Sequence, residues 1–253
     1  MQHRSNFARQ LCVAVDAASY SSRDNVAQYD LQALLSGVLD EAATAADLDR
    51  GQWLRQPQGD GELALIPPDQ QEPRLVDDFV RELDATLRRR NHGRAPESRL
   101  RLRVAMDFGV AYEADLGFAG HAVVTTARLL ASDNLHRALA DAPEADLAIA
   151  LSTIVYETVL NRHTSLTAQQ FTPVQVEVKE FTGQAWIRVL APAAAQAPAA
   201  AQAPAPAQAP DSGEPHRQAQ HDAQIINQTN NIYGQVEADL IGIKFIAGHR
   251  GQQ

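Results

Sequence analysis

Apolar positions along the chain switch repeatedly between a two-residue period, a helical period and unbroken short runs. The stretch QLCVAVDA (10–17) is a near-continuous apolar run of strand length that ends at Asp16, which predicts a buried strand. Leu31, Leu34, Leu35 and Val38 then fall at i, i+3, i+4 and i+7, the stripe of an amphipathic helix. GQWLRQPQGDGELALI (51–66) reads as two strands around a tight turn, with Asp60-Gly61 as the hairpin signal. Val76, Phe79, Val80, Leu83 and Leu87 make a second helical stripe, stopped by the basic run and Gly93 of RRRNHG. RLRLRVAMDFG (99–109) alternates arginine with Leu100, Leu102 and Val104, which predicts a strand with one wet face. A glycine opens FAGHAVVTTARLL (118–130), read as a third helix carrying Arg128 in its apolar run. DLAIAL (146–151) is a short strand and STIVYETVL (152–160) a helix. VQVEVKEF (174–181) and QAWIRVL (184–190) close the region as a strand pair. The order predicts an α+β sandwich, with helices packed on a mostly antiparallel sheet.

After residue 190 the pattern stops. APAAAQAPAAAQAPAPAQAP (191–210) repeats AQAP, and each proline removes a backbone donor and clashes with a helical turn. Such a segment is an extended spacer of ~3.1 Å per residue. Three regions follow: a globular domain over 1–190, an Ala/Pro/Gln-rich flexible linker over 191–222 and a tail over 223–253. In the tail, Ile232, Gly234, Val236, Ala238 and Leu240 alternate with polar residues, and Ile241, Ile243 and Phe245 continue an apolar face after a one-residue shift. That is strand period with few charges, and an isolated hairpin is marginal alone. The segment 225–248 therefore calls for a partner edge or for copies of itself.

Composition narrows the function. A net charge of −9 argues against a nucleic-acid binder, which needs a basic face. The single cysteine, Cys12, excludes an internal disulfide and reads as a small core residue. The eight histidines show no metal-ligand spacing. No run approaches the ~20 apolar residues of a membrane span, and the N-terminus lacks a signal-peptide core. A cytoplasmic protein is expected. Lysine is rare, at Lys179 and Lys244 only.

Four polar positions stand out: Asp16 at the end of the first strand, Asp60 at the hairpin tip, Arg128 on the third helix and Lys179 on a late strand. In that order, LCVAVDAASYSS, QGDGELALI, LRVAMDFGVAYEADLGFAGHAVVTTARLL, LAIALSTIVYETV and VEVKEFTGQAWIRV resemble the class III nucleotidyl cyclases over roughly residues 8–190. The resemblance implies their ferredoxin-like sandwich and a head-to-tail homodimer with sites at the interface. It implies Asp16 and Asp60 as ligands of two Mg²⁺ or Mn²⁺ ions, Arg128 as the arginine that stabilises charge on the transferring phosphorus, and Lys179 as a phosphate-binding group. The substrate implied is a nucleoside triphosphate.

Three further positions depart from the family. Its ribose-orienting asparagine falls at Val124, its base-selecting lysine at Gln56, and the acidic or polar partner of that lysine near Gly117. The metal–phosphate half of a cyclase site is thus kept and the ribose–base half is lost. The expected function is a signalling protein whose degenerate cyclase-like domain binds nucleotide and metal, or a partner, and signals through the tail. The tail loosely resembles bacterial amyloid signalling motifs and is expected to meet a partner signalling protein. The alternative is a divergent active cyclase that makes a cyclic nucleotide and pyrophosphate.

Overall fold

The first strand of the computed structural model, β1 (Arg9–Ala17), lies inside a seven-stranded sheet and is covered on both faces, which is why its sequence is apolar almost without break. The structure describes residues 8–70, 73–160 and 165–192; the linker and tail from residue 193 onward, with the segment 225–248, lie outside them. In chain order, α1 (Asn25–Ala45) follows β1, then the hairpin β2 (Leu54–Gln58) and β3 (Gly61–Ile66). A π-helical turn (Arg74–Phe79) leads into α2 (Val80–Asn91). Then come β4 (Leu102–Val110), a small hairpin of β5 (Tyr112–Ala114) and β6 (Gly117–Ala119), α3 (His121–Leu130) and α4 (Asp133–Ala140). The chain continues through β7 (Leu147–Ser152), α5 (Thr153–Leu160), β8 (Thr172–Val178) and β9 (Phe181–Leu190).

The sheet order is β2-β3-β1-β4-β7-β9-β8, with β4 and β7 parallel and every other pair antiparallel. This is the expected mostly antiparallel α+β sandwich. On one face Leu11, Val13 and Val15 of β1 pack with Leu35 and Val38 of α1 and Leu83 of α2. On the other face, Cys12 and Ala14 meet Ala122 and Val123 of α3, and Ala105 and Ala148 meet Leu135 and Leu139 of α4. No helix among the described residues is long and apolar enough to cross a membrane.

The structure departs from the sequence reading in three places that bear on the site. The arginine face of the 99–109 stretch is not wet. Arg101 donates to the carbonyls of Leu139, Ala142 and Ala145 at the end of α4, and Arg99 to those of Pro143 and Glu144. The arginine ladder therefore fastens α4, an element the pattern did not predict. Lys179 does not lie on a strand. It occupies the two-residue turn between β8 and β9 at φ 53°, one of the left-handed positions of the chain. The β2–β3 turn is Gly59–Asp60, one residue earlier than the Asp-Gly signal, and Gly61 is already paired with Gln58 and with Asp16. Gly61 is there for close approach: a Cβ on it would sit 2.0 Å from the Val15 carbonyl oxygen.

Candidate functional site

Strand alternation puts Asp16 on the same face of β1 as Cys12 and Ala14, toward α3 and α4. The β1–β4 register then sets Arg103 directly across from it. Both carboxylate oxygens are engaged: Arg103 Nε donates to Oδ1 at 2.8 Å and Nη2 to Oδ2 at 2.9 Å. The two side chains are 17% and 13% exposed, so this bidentate pair is largely shielded from water. Burial pushes the Asp16 carboxyl above its ordinary range; the Arg103 charge and hydrogen bonds and the nearby His136 offset part of that, and Asp60 adds to it. His136, on α4, is itself held below the usual imidazole value by burial and by the Arg103 charge. Asp60 is half-buried on its turn, and its carbonyl accepts the Ala17 N–H at 2.8 Å, which ties the turn to the end of β1. Asp16 and Asp60 therefore share one end of the sheet.

Arg128 meets the β8–β9 turn, which carries Lys179, at a second place. α3 begins at Gly120, whose φ of 119° and close approach to the Val110 carbonyl leave no room for a Cβ. From there Ala122, Val123, Thr125, Thr126 and Leu129 turn inward. Arg128 falls in the last turn, where a cation complements the helix dipole. Its side chain is 16% exposed, and Glu180 Oε2 of the β8–β9 turn lies 3.7 Å from its Nη2. Lys179 is exposed beside that glutamate. Val124, one helical turn before Arg128, is 40% exposed and can form no hydrogen bond with a ribose.

Gln56 and Gly117 are in contact. The carboxamide of Gln56 accepts the Phe118 N–H through Oε1 at 3.1 Å. A Cβ on Gly117, which has φ 118°, would fall 2.5 Å from that same oxygen. The two positions that the family resemblance assigned to base selection are thus neighbours on β2 and β6. What they present is a backbone-anchored carboxamide and a bare backbone.

Two carboxylates at the end of β1 and the β2–β3 turn are hard oxygen donors of the type Mg²⁺ and Mn²⁺ take. Among the described residues no group of three or more His, Cys, Asp or Glu is arranged to hold a metal ion. The donor set fits the mode in which one or two carboxylates share the ion with substrate phosphates, and it does not fit an all-protein cage. Arg103 and His136 are the members of this site that the sequence reading missed. The signal for Arg103 was its place in the arginine ladder, but only the β1–β4 register shows which arginine meets Asp16. His136 sits on the helix that the reading did not predict.

No family model matches the chain, and no curated protein matches it. Among solved structures, an adenylate/guanylate cyclase/hydrolase from Silicibacter pomeroyi is similar, with a TM-score of 0.52 at 22% identity over 72% of this chain and 98% of that one. The guanylyl cyclase Cya2 is similar with a TM-score of 0.50 at 16% identity, over 73% of this chain and 92% of the other. At these identities the likeness is one of fold: the described residues adopt the fold of nucleotidyl cyclase domains.

Proposed function

We propose that the domain is a signalling module of cyclase fold that binds a nucleoside triphosphate with Mg²⁺ or Mn²⁺ and has little or no cyclase turnover. The observation that carries this reading is the split between the two halves of the site. Asp16, Asp60, Arg128 and Lys179 supply charge suited to metal and phosphate, while Val124 and the Gln56–Gly117 contact supply nothing to fix a ribose hydroxyl for attack. Asp16 and Asp60 would hold the ions, and the ions would clamp the triphosphate. The strand register runs from Asp16 through Arg103 and Ala148 to Val189, at the far end of β9 from the turn that carries Lys179 and the Glu180 partner of Arg128. That supports a head-to-tail homodimer in which one protomer brings the carboxylates and its partner the cations.

The bound state would be passed on through the tail, by β-pairing of 225–248 with another chain. Active cyclase chemistry with altered base choice is the second reading, favoured by the presence of all four charged positions. Calorimetric titration of each nucleoside triphosphate, with and without Mg²⁺, tests the first. Binding is expected to require the divalent ion and to be lost on Asp16→Ala. Binding that ignores both the ion and the substitution contradicts it.

A further inference from the structure

We infer that Arg103 makes the Asp16–Asp60 pair a receptor for metal–nucleotide complexes while refusing free divalent ions. The inference rests on the nucleotide-binding reading above and adds a positioning residue to that site. The argument is one of charge. A free dication is captured by protein carboxylates in proportion to the negative charge they offer, and a guanidinium held against one of them subtracts from it. Asp16 gives each of its oxygens to a separate Arg103 donor, at 2.8 and 2.9 Å. With Arg103 in place, the two carboxylates amount to one net negative charge. The guanidinium is mostly buried, so its repulsion of a nearby cation is weakly screened.

A triphosphate changes the balance. Its oxygens complete the coordination of the ion, and its negative charge offsets the repulsion. Arg103 meanwhile keeps Asp16 oriented, in the way an outer hydrogen-bond partner orients a ligating carboxylate. The remaining lone pairs of the two Asp16 oxygens stay available for the ion. The site therefore reads ion and nucleotide together.

The test follows the free-Mn²⁺ electron paramagnetic resonance signal as Mn²⁺ is titrated into the full chain, alone and with ATP, GTP, CTP or UTP in turn. Wild type is expected to deplete the signal, beyond what nucleotide alone depletes, only when a nucleotide is present. Arg103→Gln, which removes the charge and keeps a donor, is expected to bind Mn²⁺ without nucleotide at least about tenfold more tightly than wild type. Arg103→Lys, which restores the charge, is expected to return the nucleotide requirement, a rescue that a purely structural role does not produce. Circular dichroism checks that each variant is folded, and the wild-type titration stands even where a variant is not. Equally tight Mn²⁺ binding by wild type with and without nucleotide overturns the inference and leaves the nucleotide site standing. So does a folded Arg103→Gln chain with unchanged affinity for free Mn²⁺. No protein-dependent depletion with any nucleotide overturns the nucleotide-site reading, and this inference with it.

Discussion

A glycine and a valine show how much single side chains carry here. Gly61 lets β3 approach β1 so closely that a methyl group would press on the Val15 carbonyl and the Asp16 Cα. Gly61→Ala must therefore shift the strand end that carries Asp16. Urea unfolding should register a loss of ~1–3 kcal/mol, the usual cost of overpacking, and nucleotide binding should weaken along with it. An unchanged midpoint would show that the strands relax freely. The sequence placed Gly61 in the turn, but it is the first paired residue of β3, and its reason is close approach. Sequence gives the turn signal, while the need for close approach arises only once β1 is paired with β3. That Val124 offers no hydrogen-bonding group was plain from sequence, because an apolar side chain cannot hydrogen-bond whatever its surroundings. Cys12 was read as core and is buried at 0% exposure, with its thiol pushed up to about 12 by that burial.

Elements were legible where one periodicity ran unbroken and opaque where tertiary contacts did the work. β4, α1 and α2 follow from apolar period and β1 from an unbroken apolar run, while α3 starts at His121, after the β6 residues Phe118 and Ala119 that the sequence pattern assigns to it. α4 did not follow: its eight residues bury only Leu135 and Leu139, too short a stripe to announce a helix, and it is held by Ser132 at its N-terminus and by Arg101 at its C-terminus. An arginine that donates to Leu139, Ala142 and Ala145 adds a side-chain partner to carbonyls at and beyond the last turn, two of which, Leu139 and Ala142, also accept a backbone N–H. Arg101→Ala should therefore cost ~1–3 kcal/mol, and hydrogen exchange should be faster over 133–146 than elsewhere. Uniform exchange would mean α4 is held by its apolar contacts alone. The edge strands β2 and β8 each carry a proline, Pro57 and Pro173, which removes a donor from the exposed edge and discourages stray pairing. The β-prone segment 225–248 has no such guard, in keeping with a role in pairing.

Over the whole molecule, buried charge sets the response to pH. Burial raises the Glu62 carboxyl, against the pull of Arg50 and Arg55, and raises that of Asp84 against Arg88. A carboxyl raised in the folded state adds stability that is fully present below its unfolded pKa and lost as pH rises through the folded one. These groups should therefore gain stability as pH falls from neutral toward the carboxylate range, opposed by Glu41, which Arg89 and Arg90 hold low. Asp84→Asn removes one such proton uptake. Its stability relative to wild type, from urea unfolding at several pH values, should decline as pH is lowered; a constant difference would contradict the sign.

The fold was thus readable from order and pattern; Asp16, Asp60, Arg128 and Lys179 were readable as candidates, while Arg103 and His136 were not. What was not readable is how the members group: Asp16 with Arg103 and His136, Arg128 with Glu180, Gln56 with Gly117. Those pairings depend on strand register and on where α4 packs. The central claim is that the metal–phosphate half survives without the half that orients ribose and base. It is tested most directly by incubating the purified chain, and its Val124→Asn variant, with each nucleoside triphosphate and Mg²⁺ or Mn²⁺ and quantifying cyclic nucleotide. One missing preorganised contact costs ~10²–10³ in rate. The account predicts product at or below detection for wild type, with any residual activity raised in Val124→Asn. Robust turnover by the wild-type chain would contradict it.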